Sequence, residues 1–266
     1  MLTDKETRQN ELPDAEYVTL KINKELDANN REVSRYAFMK YDKEAKKEFV
    51  AHQSVSGYLF NIVLGDVKQF LTKNGNTFTV QNLYLELRSY NKNGELKRGV
   101  VVIKKDTKAF ETIISKLANL NDFYKITIDC YKYIDRNKGI EIPTILIKDR
   151  DGNSLLKRIN FRYKDSNVSQ DNLIELPEIE LVKDENDVPI LTTDGKTQVD
   201  LRWTNKKKKI YLNTLEEIIE KHRVWLENNP LEQPQIKPQI NISNEQPIDD
   251  MGEPEYMEEP EYILAE

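Results

Sequence analysis

The segment TFTVQNLYLELRSYNKNGELKRGVVVI, residues 77–103, alternates apolar and polar side chains on both sides of an Asn-Gly pair. Alternation with a period of two is the pattern of a β-strand that buries one face. An Asn-Gly pair between two such runs favours a tight hairpin. The segment therefore predicts two antiparallel strands, 77–90 and 96–103, joined by a turn at 91–95.

The sequence on either side predicts a third strand and a helix. Upstream, GYLFNIVL (57–64) is rich in β-forming residues, and the turn KNGN (73–76) leads from it into residues 77–90. Downstream, DTKAFETIISKLANLNDF (106–123) spaces its apolar residues as one face of a helix does. Asp106 or Thr107 can cap the first turn, because a short oxygen-bearing side chain accepts its free N–H groups.

Alternation then returns in three further segments, YKITIDCYKYI (124–134), IEIPTILI (140–147) and SLLKRINFRYK (154–164). The order is three strands, one helix, then more strands. That order is typical of the OB-fold, a five-stranded Greek-key barrel with a helix between its third and fourth strands. We therefore expect a mainly β protein with an OB-fold. A pair of mixed strand–helix–strand sheets would give a similar pattern.

The remaining sequence predicts additions to this barrel. Residues 1–50 are polar and lysine-rich, and we expect an N-terminal extension that is partly disordered or forms short strands, such as 17–22. Strands are predicted at 173–182, 188–193 and 197–203, and an amphipathic helix at 212–229. The expected domains are 51–229 for the barrel with its additions, 230–243 for a proline-containing linker, and 244–266 for a disordered acidic tail.

Three of the predicted strands have one apolar face and one face of tyrosine, lysine and arginine. These strands are 83–90, 124–133 and 155–164. Flat rings stack on unpaired bases and cations follow phosphates, so such faces fit a single nucleic-acid strand. The alternative is that these residue types are simply common on exposed strands. The predicted DNA-binding residues are Tyr84, Arg88, Tyr90, Tyr131, Tyr133, Arg158 and Arg162, with Lys97, Arg98 and Lys125 as phosphate contacts.

The end of the chain differs from the rest in charge. The net charge is −6, yet no Lys or Arg follows Lys237, and residues 244–266 contain nine acids. Without them, 37 acidic residues remain against 40 basic ones, so the body carries +3. EPEYM (253–257) is nearly repeated as EPEYI (259–263). Spaced tyrosines suggest that a partner binds this tail, the alternative being a solubilising tail. The predicted contacts are Glu253, Tyr256, Met257, Glu259, Tyr262, Ile263 and Leu264.

A family resemblance follows from GYLFNIVL, VQNLYLELRSY, GVVVI, the helix and YKITIDCYKY, followed by LPEIELV and DLRW. In this order they resemble phage-type single-stranded-DNA-binding proteins with an OB-fold and an acidic C-terminal tail. The resemblance implies binding and protection of single-stranded DNA during replication, recombination or repair. It also implies a tail that recruits partner proteins and competes with DNA for the basic groove. The tail here ends in Ile263-Leu264-Ala265-Glu266, whereas tails of this family commonly end on an aromatic or Pro-Phe tip.

Two other functions remain open at this stage, a virion or assembly protein and a transcription cofactor that acts on RNA polymerase. We expect no enzyme, cofactor or metal site, because two histidines and one cysteine do not provide the usual zinc ligands. The polar start of the chain and the single Cys130 predict a cytoplasmic protein, in the bacterial host if phage-encoded, with no membrane partner. The run KKKK (206–209) is expected in a solvated loop beside Trp203.

Overall fold

A computed structural model describes residues 13–26, 30, 32–72, 75–135, 140–160, 173–193 and 195–229. Within these ranges the protein is mainly β, and a long helix follows its strands. The elements are β1 (Ala15–Leu26), β2 (Glu32–Asp42), β3 (Lys47–His52), β4 (Ser54–Leu64), β5 (Lys68–Leu71), β6 (Thr77–Val80), β7 (Asn82–Tyr90), β8 (Leu96–Lys104), α1 (Lys108–Leu117), β9 (Ile126–Asp135), β10 (Ile140–Lys148), β11 (Ile159–Asn160), β12 (Ile174–Glu175) and α2 (Leu201–Asn228).

Eight of these strands form one sheet, in the order β10-β9-β4-β7-β8-β1-β2-β3. Neighbouring strands are antiparallel except for β1 and β8, which pair in parallel. The sheet curls, so that β2 approaches β9 and β10 from the other end of the strand order. The predicted chain order of three strands, one helix and two strands is present in β4, β7, β8, α1, β9 and β10.

The core lies inside this curl and is covered by both helices. Leu83, Leu85 and Leu87 of β7 point inward, as the alternation predicts, and none is more than 5% exposed. Helix α1 begins where the Thr107 side chain accepts a hydrogen bond from the N–H of Phe110, so the cap is one of the two predicted residues. The apolar side of α2 packs against the same core through residues that include Leu215 and Ile218.

The first 50 residues contribute far more to the sheet than the sequence suggested. β1 pairs in parallel with β8, with Tyr17 opposite Val100, and β2 and β3 continue the sheet beyond it. Val18 and Leu20 of β1 and Phe38 of β2 are at most 4% exposed. The expectation of an N-terminal extension over 1–50 is therefore corrected for its described residues, 13–26, 30 and 32–50. The sheet has one buried face, so its strands carry lysines on the solvent side. These lysines make the N-terminal sequence look polar and obscure its apolar positions.

Two other predicted strands are shorter than expected. Residues 77–90 divide at Gln81, where β6 turns back to pair with β5 in a separate hairpin and β7 enters the large sheet. Gln81 anchors this division, because its carbonyl accepts from the N–H of Lys105 and its side chain donates to the carbonyl of Gly65. Of the predicted strand 154–164, the structure has β11 and isolated bridge residues at Ser154 and Lys157, and residues 161–164 lie outside the described ranges.

After the short β12, the predicted strands at 173–182, 188–193 and 197–203 form a compact triangular unit instead, except that residues 201–203 belong to α2. The N–H of Val182 donates to the carbonyl of Gln198 at 2.9 Å, and the N–H of Gln198 donates to the carbonyl of Ile190 at 2.9 Å. The N–H of Ile190 in turn donates to the carbonyl of Val182 at 2.8 Å. Three segments that are eight residues apart thus bond in a closed cycle. The cycle satisfies backbone groups that regular strands would satisfy in a ladder.

Helix α2 begins at Leu201, eleven residues before the predicted start. Asp200 caps it, accepting from the N–H of Arg202 at 2.6 Å. The run 206–209 is therefore helical and not a loop, which agrees with the good helix propensity of lysine. Its ion pairs are Lys206–Glu180 at 2.6 Å, Lys207–Glu111 at 2.7 Å and Lys208–Asp106 at 3.2 Å.

Candidate nucleic-acid interface

The surface of β4, β7 and β8 that is turned away from the core carries aromatic and basic side chains. In the register of these strands, Tyr58 lies opposite Arg88, and Arg88 lies opposite Arg98. Residues directly opposite each other on adjacent strands project to the same face. We call this surface the aromatic-basic face. Its residues are Tyr58, Phe60, Glu86, Arg88, Tyr90, Arg98, Tyr124 and Arg150.

Three tyrosine rings are held against one another on this face. The Tyr58 and Tyr124 rings are edge to face with centroids 4.7 Å apart, and the Tyr58 and Tyr90 centroids are 6.4 Å apart. Edge-to-face contact is a favoured geometry, because the positive edge of one ring meets the negative face of the other. A hydrogen bond with Tyr124, together with burial, raises the pKa of the Tyr58 hydroxyl. Tyr90 and Tyr124 remain 39% and 38% exposed, so both rings are accessible to a ligand.

The cations of the face are also held in place. The Arg88 guanidinium lies 3.0 Å from the centroid of the Phe60 ring, and that of Arg150 lies 4.7 Å from the Tyr124 centroid. Such contacts are cation–π interactions. The Nε atoms of Arg88 and Arg98 both donate to Oε1 of Glu86, at 2.9 and 3.0 Å. The two arginines and one glutamate leave a net charge of +1.

Glu86 is ionised despite its surroundings. Burial opposes the charged form, but the hydrogen bonds from Arg98 and Arg88 outweigh it and hold the pKa of Glu86 below its usual value. The Glu86 side chain is 13% exposed, and those of Arg88 and Arg98 are 11% and 21% exposed. The two arginines therefore offer only part of their surface to solvent, and the tyrosines offer more.

Two hairpins with exposed aromatic residues extend from opposite ends of β4. The β5–β6 hairpin follows β4, and its paired Phe70 and Phe78 rings stack with centroids 5.5 Å apart. The β9–β10 hairpin projects past the first residue of β4, because Ser54 is paired with Asp129 and β9 continues to Asp135. Tyr131 and Tyr133 lie two and four residues after Asp129, so their side chains are on the same outer face as that of Asp129. They are 51% and 45% exposed.

Several predicted site residues lie on or beside the aromatic-basic face. Arg88, Tyr90 and Arg98 belong to it, and Tyr131 and Tyr133 extend it. Tyr84 is on the same side of β7 but half-buried beneath the Gly65 backbone; a Cβ atom on Gly65 would lie 2.6 Å from its ring. Lys125 is exposed next to Tyr124, whereas Lys97 is exposed on the opposite side of β8 from Arg98.

Other predicted residues are not brought to this surface. Arg158 pairs with Glu217 of α2 at 3.6 Å, and its N–H donates to the carbonyl of Ser115 in α1 at 2.8 Å. Arg158 is therefore placed beside the helices, which corrects its assignment to the binding face. The cause is that the contact with β10 ends at Leu155, after which residues 156–158 bond to α1 and to Asn119 just beyond it. Arg162 and the tail residues Glu253, Tyr256, Met257, Glu259, Tyr262, Ile263 and Leu264 lie outside the described residues.

The sequence analysis missed five of the eight residues of the aromatic-basic face, and also the β5–β6 aromatic pair. Tyr58 could have been found from the alternation in 57–64, because it flanks the buried Leu59. Beyond Leu59 a bulge shifts the register, so strict alternation no longer assigns the faces. Tyr124 precedes β9, so the alternation of that strand does not place its ring. Turns of the chain bring Arg150 to Tyr124 and Phe70 to Phe78, and residue spacing does not reveal such contacts.

Other kinds of site are not evident in the described ranges. There, no group of three or more His, Cys, Asp or Glu side chains is arranged to hold a metal ion. None of the helices described is both long enough and apolar enough to cross a lipid bilayer. Burial raises the pKa of the Cys130 thiol to about 12. Comparisons with protein families, with curated proteins and with solved structures gave no match to this chain.

Proposed function

We propose that this protein binds single-stranded DNA without catalysing a reaction, and that the aromatic-basic face is its binding surface. The observation that supports this most directly is the group of exposed rings, Tyr90 and Tyr124, beside held cations on one side of the sheet. Unpaired bases offer flat faces for stacking, whereas bases inside a duplex are already stacked. Stacking of this kind contributes about 1–3 kcal/mol per base and depends little on the base.

The arrangement of strands agrees with an OB-fold. We propose that β4, β7, β8, α1, β9 and β10 are its five strands and helix, and that β1 and β2 stand between the third and fifth strands, where a five-stranded barrel would close. OB-folds bind oligonucleotides on the face of strands 2 and 3 and on the loops between strands 1 and 2 and between strands 4 and 5. Under this assignment those elements would be β7–β8, the β5–β6 hairpin and the β9–β10 hairpin. They carry Arg88, Tyr90, Arg98, Phe70, Phe78, Tyr131 and Tyr133.

The proposal extends to the tail and to the cellular role. Residues 244–266 would recruit replication, recombination, repair or transcription proteins and would compete with DNA for the positive surface of the body. The support is the charge difference between a body of +3 and a tail with nine acids and no base. The compartment would be the cytoplasm, which is that of the bacterial host if the chain is encoded by a phage.

Direct DNA binding can be measured by the fluorescence anisotropy of labelled oligonucleotides. Intrinsic tryptophan emission is a poor probe, because Trp203 and Trp225 both lie on α2 and Trp203 is 6% exposed. We expect labelled oligo-dT to bind more tightly than a duplex of equal length. Affinity should fall steeply between about 50 and 200 mM salt, because bound phosphates release their counterions.

The same titration separates DNA binding from the alternatives. No binding of oligo-dT at low salt would contradict the proposal and favour a virion or assembly role based on protein contacts. Equal affinity for duplex would contradict the stacking mechanism. A transcription cofactor would share the DNA-binding body, so a pull-down with residues 244–266 is needed to distinguish it by the partner that the tail retains.

A further inference from the structure

Leu59 is the point at which helix α2 meets the strand that carries Tyr58. The pairing of β4 with β9 ends at Gly57 and Ile126. Beyond it, the N–H of Leu59 donates to the carbonyl of Phe123 at 3.2 Å, and Nε2 of His222 lies 2.8 Å from the carbonyl of Leu59. Leu59 is 0% exposed, so water does not satisfy that carbonyl. The histidine therefore replaces the missing strand partner.

Phe123 provides a second connection between the helix and the tyrosines. Its ring is 0% exposed and packs edge to face on His222, with centroids 4.9 Å apart. It also lies tilted against the Trp225 ring, with centroids 5.9 Å apart. The next residue, Tyr124, turns to the outer face and meets Tyr58. Both rings of the Tyr58–Tyr124 pair thus project from a residue whose immediate neighbour is in contact with His222.

We propose that His222 is a positioning residue for the candidate DNA-binding surface. By fixing the carbonyl of Leu59 and the ring of Phe123, it fixes the two backbone segments from which Tyr58 and Tyr124 project. It thereby sets the edge-to-face pair that would receive bases. The expected effect of His222 on DNA affinity rests on the proposed function. Its effect on the geometry of the Tyr58–Tyr124 pair does not.

The role of His222 is separable from the general attachment of α2. Lys221 donates to the carbonyl of Leu120 at 2.7 Å and to Asn121 at 2.8 Å, and Lys207 pairs with Glu111 at 2.7 Å. Leu215 and Ile218 pack in the core. These contacts hold the helix along its length, so loss of the His222 hydrogen bond should act locally on Leu59 and Phe123.

The test compares His222→Phe, which keeps an aromatic ring but donates no hydrogen bond, with His222→Gln, which restores an N–H donor. The readout that needs no DNA is the nuclear Overhauser effect between the ring protons of Tyr58 and Tyr124 in protein with labelled tyrosine. We expect this signal in the wild type and in His222→Gln, and a weakened or absent signal in His222→Phe. His52→Phe is the matched control, since His52 is exposed on β3, and its signal should equal that of the wild type.

The second readout is the affinity for labelled oligo-dT. We expect His222→Phe to bind at least about fivefold more weakly, as for the loss of one stacked base, and His222→Gln to recover most of this loss. An unchanged ring signal in His222→Phe would overturn the inference whatever the affinity. If the wild type fails to bind oligo-dT, the proposed function fails and the ring signal still decides the positioning role. Should His222→Phe not fold, Phe123→Leu provides the test, and an unchanged Tyr58–Tyr124 signal in that variant would overturn the inference.

Discussion

Arg88 and Arg98 lie directly opposite each other on β7 and β8, and their Nε atoms donate to the same oxygen of Glu86. Like charges at directly opposed positions of an antiparallel pair are destabilising. The carboxylate between them offsets this repulsion and aligns both guanidinium groups. The aromatic-basic face thus carries two adjacent cations because a third, acidic residue of the same face holds them.

Replacing Glu86 with Gln should lower the free energy of unfolding by about 1.5–3 kcal/mol, the range for hydrogen bonds to charged groups. The amide oxygen of Gln can accept a hydrogen bond but does not neutralise the two arginines. Urea unfolding measures the change. Glu141→Gln is the control, because Glu141 pairs with Lys132 on an exposed surface, where such pairs contribute less than about 1 kcal/mol. Equal effects of the two variants would contradict the bridging role of Glu86.

Gly57 allows β4 and β7 to approach closely beside Tyr58. A Cβ atom at Gly57 would lie 2.7 Å from the backbone carbonyl oxygen of Arg88, whereas one at Gly99 would meet no atom within 4 Å. Gly57→Ala should therefore destabilise the protein by about 1–3 kcal/mol, as overpacking does. Gly99→Ala, on the neighbouring β8, should be neutral or slightly stabilising. Thermal and urea unfolding compare the stabilities of the two variants. Similar stabilities would show that β4 and β7 can move apart at Gly57 without loss of stability.

The exposed tyrosines should account for much of the DNA affinity. We expect Tyr90→Ala and Tyr124→Ala each to weaken oligo-dT binding by roughly 5- to 150-fold, the equivalent of about 1–3 kcal/mol per stacked base. Anisotropy titration at low salt gives these values. Tyr41→Ala is the matched control, since Tyr41 is 54% exposed on β2, away from the three-ring group. A loss of affinity in Tyr41→Ala as large as in the other two would place the binding surface elsewhere.

The stability of the protein should decrease below neutral pH through His222. Burial lowers the pKa of His222, although its hydrogen bond with Leu59 partly opposes this. An unfolded histidine titrates near about 6.5. Below that pH the unfolded chain binds a proton that the folded chain does not, so the free energy of unfolding falls until the folded pKa is reached.

Urea unfolding at about pH 7.5 and about pH 5.5 measures this effect, on either side of the ordinary histidine pKa. His222→Gln should remove most of the difference, whereas His52→Gln should keep it, and these are the two histidines of the chain. If the stability difference between the two pH values persists in His222→Gln, it arises from other titratable groups. At still lower pH, protonation of Glu86 and Asp129, whose pKa values are held down by basic partners, should destabilise the protein further.

Deleting residues 244–266 should tighten oligo-dT binding, because it removes nine acids that would compete with phosphates for the basic body. The gain should be largest at low salt, where charges are least screened. The comparison is with a chain in which these acids are replaced by Gln and Asn, which should behave like the deletion. Equal affinity of the deleted and full-length chains at low salt would remove the masking idea and leave partner recruitment as the proposed role of the tail.

Local pattern predicted the elements whose partners are near in sequence. The alternation in 83–90 identified the buried face of β7, and the Asn-Gly turn placed β8 beside it, because a tight turn fixes the register of a hairpin. The spacing of Phe110, Ile113 and Leu117 identified the buried face of α1, and a short polar residue marked its start. Within residues 57–148, β4, β7, β8, α1, β9 and β10 could therefore be predicted, whereas β5 and the division at Gln81 could not.

The parts that failed depend on distant partners. β1 pairs in parallel with a strand more than 80 positions later, and no turn between the two records that pairing. The first turns of helix α2 contain the lysine run 206–209, where amphipathic spacing is weak and ion pairs with Asp106, Glu111 and Glu180 supply the contacts. Arg158 was assigned to a strand face because its neighbours alternate, but hydrogen bonds to Ser115 turn that segment toward α1.

The sequence by itself determined the strands β4 and β7 to β10, the Asn-Gly turn between β7 and β8, and that nine acids and no base follow Lys237. These features depend on local backbone preference and on composition. The tertiary structure decided which strands are neighbours and therefore which rings meet. Tyr58, Tyr90 and Tyr124 come from three separate segments, and they are in contact because a bulge in β4 and a histidine on α2 set the backbone between them. Long-range packing of this kind leaves no periodic trace in the order of residues.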